Sequence, residues 1–148
     1  GKTLVFNNLS PNSLSIAGST FNLVNIHMHS RSEHTINGGS FPIEIHFVHA
    51  DANGALLVVG VMAKEGAANP AFPLDDRLKQ IFPDAVGTTY SQPTYGLNLT
   101  ALLPTTQTYY HYNGSLTTPP CSQDVRWHVM QNEITFSSSQ MSILIKAL

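Results

Sequence analysis

Three histidines and a glutamate lie close together in the segment NIHMHSRSEH, residues 25–34, of a chain that contains seven histidines. Imidazole and carboxylate groups bind metal ions and transfer protons. His27 and His29 are separated by one residue, and on a β-strand that spacing directs both side chains to the same face. The spacing predicts either a pair of metal ligands or a polar strand face with two solvated histidines.

A third metal ligand is available in FPIEIHFVHAD, residues 41–51. His46 and His49 are three residues apart, so on a strand they point to opposite faces. Only one of them can therefore join the first pair. Glu44 shares a strand face with His46.

A cupin barrel is an alternative source of the same spacing. His27-x-His29 followed after three residues by Glu33 is also the first ligand spacing of cupins. Those barrels continue with Pro-x-Gly and then another histidine. Here Pro42 is followed by Ile43 and a glutamate, so the pattern is incomplete and a cupin is disfavoured.

The second unusual segment is GSLTTPPC, residues 114–121. It is either a proline-rich loop between strands or a loop that brings a threonine hydroxyl to a metal site. In the second case the hydroxyl could orient a bound nucleophile. The segment alone does not distinguish these interpretations.

The elements that must position these groups are mainly β-strands. Strand patterns occupy residues 20–30, 41–51, 55–65, 107–113 and 124–136. Gly38-Gly39 and Asn53-Gly54 are turn signals between the first three. We therefore expect those three segments to form consecutive antiparallel strands.

Helices are expected to be few and peripheral. Residues 73–82 have acidic residues in the first turn and a proline after the end, and residues 137–148 begin with serine caps. Residues 87–104 are rich in Thr, Pro and Gly and are predicted to be a loop. The fold class is therefore mainly β.

Composition restricts the function classes. The 148 residues are 42% hydrophobic, with a mean hydropathy of −0.03, which is typical of one globular domain. Only 11% of residues are charged and the net charge is −2, so a nucleic-acid partner is not expected. No apolar run reaches membrane-spanning length. Cys121 is the only cysteine.

Taken together, these segments resemble the α-type carbonic anhydrases. FNLVNIHMH resembles the family's zinc strand, and SEHTINGGSFPIEIHFVHAD resembles its Ser-Glu-His-Thr…Glu-x-His-x-Val-His block. YHYNGSLTTPPCSQDVRW resembles its Tyr-x-Gly-Ser-Leu-Thr-Thr-Pro-Pro-Cys…Val-x-Trp block. The amino-acid sequence of these blocks is more similar to bacterial and algal members of the family. The resemblance implies one domain over residues 1–148, built on a twisted, mostly antiparallel central sheet with a few short helices.

The resemblance also implies a chemistry. His27, His29 and His46 would bind Zn²⁺ and leave one coordination position open to water. Hydroxide supplied by the zinc would convert carbon dioxide reversibly to bicarbonate and a proton, the reaction of a zinc lyase. Thr117 would accept a hydrogen bond from the hydroxide and donate one to Glu33. Sulfonamides and small anions would be inhibitors.

An apolar substrate pocket and a set of supporting contacts follow from the same resemblance. The pocket residues are Val48, Val58, Leu116, Thr118, Val125 and Trp127. Glu44 would hold His46 through its second ring nitrogen, and Asn25 would hold His27 in the same way.

The other histidines receive different roles. His34 and Tyr112 are expected to be buried hydrogen-bonding residues near Glu44. His49, His111 and His128 are interpreted as structural or surface residues with no role in the reaction.

Members of the family are longer at both ends, so this chain is expected to lack the family's N-terminal and C-terminal segments. Those segments would carry a proton-shuttling histidine and the cysteine partner of Cys121. Missing segments or a partner chain are therefore expected to complete the protein. The resemblance around Cys121 predicts a secreted, periplasmic or cell-surface location. An alternative function is a zinc-binding structural or binding protein on the same fold, with weak or no catalysis.

Overall fold

The structure is a computed structural model that describes residues 4–7, 11–72 and 97–148. Its elements are mainly strands, as predicted. The strands are β1 (Leu4–Phe6), β2 (Ser13–Ile16), β3 (Ser19–Ser30), β4 (Ile43–Ala50), β5 (Leu56–Glu65), β6 (Tyr109–Gly114), β7 (Val125–Met130) and β8 (Ile134–Phe136). The helices are a 3₁₀ turn (Leu99–Leu102) and α1 (Ser138–Ala147).

The strands form one eight-stranded sheet in the order β1-β3-β4-β5-β7-β6, with β2 beside β3 and β8 beside β5. The expected run of three consecutive antiparallel strands is confirmed as β3, β4 and β5. β5 pairs with β7 and β8 in parallel, and the other pairings among the described strands are antiparallel. The sheet is therefore mixed but mostly antiparallel.

The segment predicted as one strand over residues 124–136 is two strands. β7 pairs with the first half of β5, where Val58 lies opposite Trp127, and β8 pairs with its end, where Ala63 lies opposite Ile134. An ion pair between Lys64 and Glu133 joins β5 to the connection between them. The long β5 thus accommodates two short partners in succession.

The turn between β4 and β5 follows its sequence signal. One carboxylate oxygen of Asp51 accepts hydrogen bonds from the backbone N–H groups of Asn53 and Ala55, both at 2.8 Å. Gly54 has a φ of +83°, which glycine adopts without a steric penalty. This tight connection keeps β4 and β5 in the register that the site requires.

The C-terminal helix is confirmed. Ser137 and Gln140 form a reciprocal capping box at its first turn, and Met141 and Leu144 are buried in the core.

The predicted helix over residues 73–82 lies outside the described residues. Of the predicted loop over 87–104, only residues 97–104 are described, and they include the 3₁₀ turn. Within the described residues, no helix is long and apolar enough to cross a membrane.

Both faces of the central strands are covered. The larger cluster includes Ile43, Ile45 and Phe47 of β4, and a smaller cluster on the other face includes Val48 and Val58. The polar residues of β4 that alternate with the first set are buried as well. The alternation in residues 41–51 therefore does not mark a solvated face, because the polar groups there hydrogen-bond with one another.

Candidate metal centre

The side chains of His27, His29 and His46 come together on one face of the sheet. His27 lies directly opposite His46 across the β3–β4 pair. One ring nitrogen from each residue lies within 4.8 Å of the other two, and the ring centroids are 4.8 to 5.1 Å apart. The choice that the spacing left open, between His46 and His49, therefore falls on His46.

A β-bulge in β3 decides which face these histidines occupy. The pairing with β4 shifts between Leu23 and Asn25, so Val24 has no partner on β4. Phe21 and Leu23 precede the bulge and Ile26 follows it, yet all three are in the larger core cluster. Without the extra residue, alternation would place the histidines on the same face as Phe21 and Leu23.

Two hydrogen bonds determine where the ring protons lie. His46 Nε2 is 2.7 Å from a carboxylate oxygen of Glu44, and His27 Nδ1 is 2.9 Å from the side-chain oxygen of Asn25. These oxygens only accept, so the neutral rings carry their protons at those nitrogens. The hydrogen bonds expected from Glu44 and Asn25 are thus present, and both remaining ring nitrogens present lone pairs to the cluster.

The cluster fits a cation. His27 Nε2 and His46 Nδ1 are 3.2 Å apart, and in the neutral rings neither carries a proton, so their lone pairs repel. His29 Nε2 is buried and has no hydrogen-bond partner. A metal ion among these three atoms would remove the repulsion and satisfy the third nitrogen.

The electrostatic environment keeps the rings of His27 and His29 neutral. Burial, and then the neighbouring His46 and His29, lower the pKa of His27 to about 4. Burial and His46 also lower the pKa of His29. Neutral imidazole is the form that coordinates metal ions, so at neutral pH these two rings are in the form that coordination requires.

Glu44 is the anchor beneath the cluster and is fully buried. One oxygen accepts from His46 and from His34 Nδ1 at 2.5 Å, and the other accepts from the backbone N–H groups of Glu33 and His34 at 2.8 and 2.9 Å. Burial raises its pKa, but the hydrogen bonds from His34 and His46 outweigh burial and hold the pKa well below its usual range. Gly60, opposite His46, leaves room for it, because a Cβ there would lie 3.2 Å from the carboxylate.

His34 continues this network to the surface. Its Nε2 lies 2.6 Å from the Tyr112 hydroxyl, and burial followed by the charge of Glu44 raises the pKa of that hydroxyl. Tyr112 therefore stays neutral and donates to His34. Tyr112 was expected to be buried and is instead 41% exposed, because β6 is an edge strand of the described sheet.

The structure does not join Thr117 to Glu33. The Glu33 carboxylate lies 3.5 Å from His29 Nε2 and 4.0 Å from His46 Nδ1. Thr117 is exposed, and in the described part of the chain it shares no hydrogen bond with Glu33. The loop around it is held by backbone bonds, such as Leu116 N–H to the Ser122 carbonyl at 2.9 Å. The hydrogen bond from Thr117 to Glu33 therefore remains a prediction.

An apolar wall lies beside the histidines. It is built by the smaller core cluster, whose buried members are Val48, Val58, Met62, Val125, Trp127 and Val129, with Leu116 packed against them. The Trp127 ring lies 4.9 Å from the His46 ring. Of the predicted pocket residues, only Thr118 lies outside this cluster, and it is exposed. Met62 and Val129 were missed, although strand parity with Val58 and Trp127 could have found them.

Comparisons with known proteins show which family this chain is similar to. A family model described as "Eukaryotic-type carbonic anhydrase" matches residues 1–148. A carbonic anhydrase of Pectobacterium carotovorum is 45% identical over 136 residues, which are 91% of this chain and 54% of that protein. One from Nostoc sp. is 34% identical over 142 residues, or 96% of this chain and 53% of that protein. The chain spans about half the length of these curated relatives.

Solved structures show the same likeness. The α-carbonic anhydrase of Thermovibrio ammonificans in complex with sulfanilamide superposes with a TM-score of 0.88 and 36% identity, covering 98% of this chain and 62% of that one. Dioscorin complexed with ascorbate has a TM-score of 0.82 and 31% identity, covering 100% and 62%. Because the family match extends over the whole sequence, this chain belongs to the eukaryotic-type, or α, carbonic anhydrase family.

Proposed function

We propose that this chain carries the zinc site of an enzyme that converts carbon dioxide reversibly to bicarbonate and a proton. The observation that carries the proposal is the convergence of three imidazoles, from His27, His29 and His46, beside an apolar wall. The facing nitrogens of His27 and His46 carry no proton in the neutral rings, and His29 Nε2 has no hydrogen-bond partner. Membership of the carbonic anhydrase family supports the reaction assigned to that site.

Zinc is the metal that this donor set suits best. Three neutral nitrogen ligands and no sulfur favour Zn²⁺ among the common cellular ions and leave one tetrahedral position for a small molecule. When bound there, zinc lowers the pKa of a coordinated water to about 7 and so supplies hydroxide at neutral pH.

The residues around the ligands would hold the site in shape. Glu44 fixes the tautomer and orientation of His46, and Asn25 does the same for His27. Glu33 is already near two of the ligands, and in the proposed reaction the Thr117 hydroxyl donates a hydrogen bond to that carboxylate. This requires the Thr117 hydroxyl to approach Glu33 more closely than in the present arrangement. The threonine would then accept a hydrogen bond from the nucleophile and orient it.

The apolar wall would receive the substrate. Carbon dioxide has no net dipole and gains little from polar partners, so a surface of Val48, Val58, Leu116, Val125 and Trp127 suits it. Val58, Val125 and Trp127 are almost fully buried, which restricts water near the reacting atoms. Thr118 would line the outer margin of this pocket.

We also propose that sulfonamides and small anions inhibit the enzyme by taking the fourth position on the metal. Two structural relatives were solved in complex with such compounds, the Thermovibrio enzyme with sulfanilamide and a Chlamydomonas carbonic anhydrase with acetazolamide. The same donor set in this chain supports a similar response.

A zinc-binding protein with weak or no catalysis is the second candidate. Two observations favour it. Thr117 and Glu33 are not hydrogen-bonded to each other, and dioscorin, one of the similar structures, is complexed with ascorbate. In this case the metal site would stabilise the fold or bind a ligand without turning it over.

Stopped-flow hydration of carbon dioxide by the zinc-loaded protein distinguishes the two. If the protein is an enzyme, it should hydrate carbon dioxide, and acetazolamide should abolish this activity. His27→Ala should lower the activity more than 100-fold. Tyr110→Phe, which changes an exposed residue on β6, should have no effect. Activity that survives His27→Ala would overturn the proposal. Stoichiometric zinc binding without hydration would establish the second candidate instead.

A further inference from the structure

The Glu33 carboxylate reaches the metal centre without a hydrogen bond of its own. It lies 3.5 Å from His29 Nε2 and 4.0 Å from His46 Nδ1, and in the described part of the chain no group donates a hydrogen bond to it. Its side chain is 32% exposed, so packing holds it only in part. The position of this carboxylate therefore depends on how the backbone of Glu33 is held.

Glu44 holds that backbone from one side. The N–H groups of Glu33 and His34 donate to the same Glu44 oxygen at 2.8 and 2.9 Å. These two bonds fix the peptide groups on either side of the Glu33 Cα atom. They do not reach the next peptide group, which carries the His34 carbonyl.

Ser32 holds the backbone at that next peptide group. Its hydroxyl donates to the His34 carbonyl oxygen at 2.7 Å and accepts from the backbone N–H of Phe41 at 2.9 Å. The backbone N–H of Ser32 also donates to the Phe41 carbonyl oxygen at 2.8 Å. Because the first bond runs from residue 32 to residue 34, it closes a local turn with Glu33 at its centre.

The rest of the loop between β3 and β4, residues 31–42, does not replace this link. Beyond Ser32, its two arms next meet at the tip, where Ile36 and Gly39 exchange backbone hydrogen bonds at 3.0 and 2.9 Å. Ser40, on the opposite arm, is exposed, and within the described residues its hydroxyl makes no hydrogen bond. The Ser32 hydroxyl is therefore the side-chain group that ties the Glu33 arm to the Phe41 arm.

We propose that Ser32 is a positioning residue, whose hydroxyl holds the turn that places the Glu33 carboxylate at the metal centre. Its effect on the reaction rests on the proposed function, in which that carboxylate accepts a hydrogen bond from Thr117. Without the hydroxyl, the His34 carbonyl loses its partner and the turn around Glu33 can widen. The three histidines of the metal centre lie on β3 and β4 and keep their positions.

Amide hydrogen exchange of the metal-free protein, resolved by residue, tests the turn. In Ser32→Ala the amides of Glu33 and His34 should exchange about tenfold faster or more, while the Val59 amide in the middle of β5 keeps its rate. Ser32→Thr retains the hydroxyl and should retain the protection. Ser40→Ala, on the opposite arm, is the matched control and should behave as the wild type. Unchanged rates at Glu33 and His34 in Ser32→Ala would overturn the proposal.

Stopped-flow hydration of carbon dioxide by the zinc-loaded variants tests the effect on the reaction. Ser32→Ala should lower kcat by about tenfold or more, with KM and zinc affinity unchanged, because a displaced group near the reacting atoms costs rate. Ser32→Thr should restore most of the rate. In a Glu33→Gln background, Ser32→Ala should cost less than about twofold, since the two residues act as one unit. An undiminished loss in that background would contradict a role through Glu33.

The two measurements separate this proposal from the proposed function. If the zinc-loaded wild-type protein does not hydrate carbon dioxide, the proposed function fails, and amide exchange still decides whether Ser32 holds the turn. If the wild type is active and Ser32→Ala has the same kcat, the positioning role of Ser32 fails and the proposed function stands.

Discussion

His27 Nε2 and His46 Nδ1 face each other 3.2 Å apart from directly opposite positions on β3 and β4. The hydrogen bonds on the far sides of the two rings are what make this pair unusual. The oxygens of Asn25 and Glu44 accept hydrogen bonds from the ring N–H groups, so two lone pairs meet where a hydrogen bond would otherwise form. A metal ion between the two rings would remove this repulsion.

Replacing Glu44 by Gln should weaken zinc binding. The amide can donate as well as accept, so it no longer forces the His46 proton onto Nε2. Removing such a supporting contact typically costs about 10- to 100-fold in metal affinity. Competition with a chromophoric chelator measures the change. Glu133→Gln, at an ion pair outside the site, is the control, and equal affinities for the two variants would contradict the role of Glu44.

The metal-free protein should lose stability as the pH falls. The folded-state pKa of His27 is about 4, below its ordinary value of 6.5. Between these values the unfolded chain binds the proton and the folded chain does not, so acidification favours unfolding. The lowered pKa of His27 therefore does not reduce the free energy of unfolding above pH 6.5. The reduction grows as the pH falls from 6.5 towards 4. Urea unfolding across this range measures it.

His27→Gln is the control for that pH series. The glutamine does not titrate, so the slope of unfolding free energy against pH should become shallower. A metal-free wild-type protein that gains stability between pH 6.5 and 4.5 would contradict the lowered pKa.

Deleting Val24 should abolish zinc binding. The bulge residue lets Leu23 and Ile26 reach the same core face, and its loss turns one half of β3 over. Either the core or the metal site must then be disrupted. Val24→Ser keeps the residue count at a site that is 49% exposed, and should change stability by no more than about 0.5 kcal/mol. Thermal unfolding and zinc titration of both variants check this, and a zinc-binding deletion variant would disprove it.

Adding a methyl group at Gly60 should disturb the anchor of His46. A Cβ there would lie 3.2 Å from the Glu44 carboxylate, so we expect Gly60→Ala to weaken zinc binding and to cost about 1–3 kcal/mol of stability. Gly39→Ala, whose Cβ would meet only a carbonyl oxygen at 3.4 Å, is the comparison. If the two alanine variants unfold and bind zinc alike, the space at Gly60 has no bearing on the site.

Thr117→Val should lower the rate of carbon dioxide hydration if the proposed function holds. Loss of one oriented hydrogen-bonding group at the reacting atoms typically costs about 10²–10³ in rate. Thr118→Val, on the adjacent residue, should cost less than tenfold. The ratio of kcat/KM between the two variants is the measurement, and equal values would remove Thr117 from the mechanism.

The sequence by itself determined which groups could do chemistry and where the local elements begin. His27-x-His29 on a strand, the ordered blocks of the family and the serine-capped helix at the C-terminus are all local patterns, because side-chain direction and capping depend on near neighbours. The same parity argument correctly grouped Val48 with His46 and Val125 with Trp127.

Only the tertiary structure decided which partners those groups meet. The bulge at Val24, the division of residues 124–136 into β7 and β8, and the exposure of Tyr112 at a sheet edge depend on pairing between strands far apart in the chain. So does the choice of His46 over His49. Strand register is set by the hydrogen bonds and packing of the partner strand, and a local sequence pattern does not contain that partner.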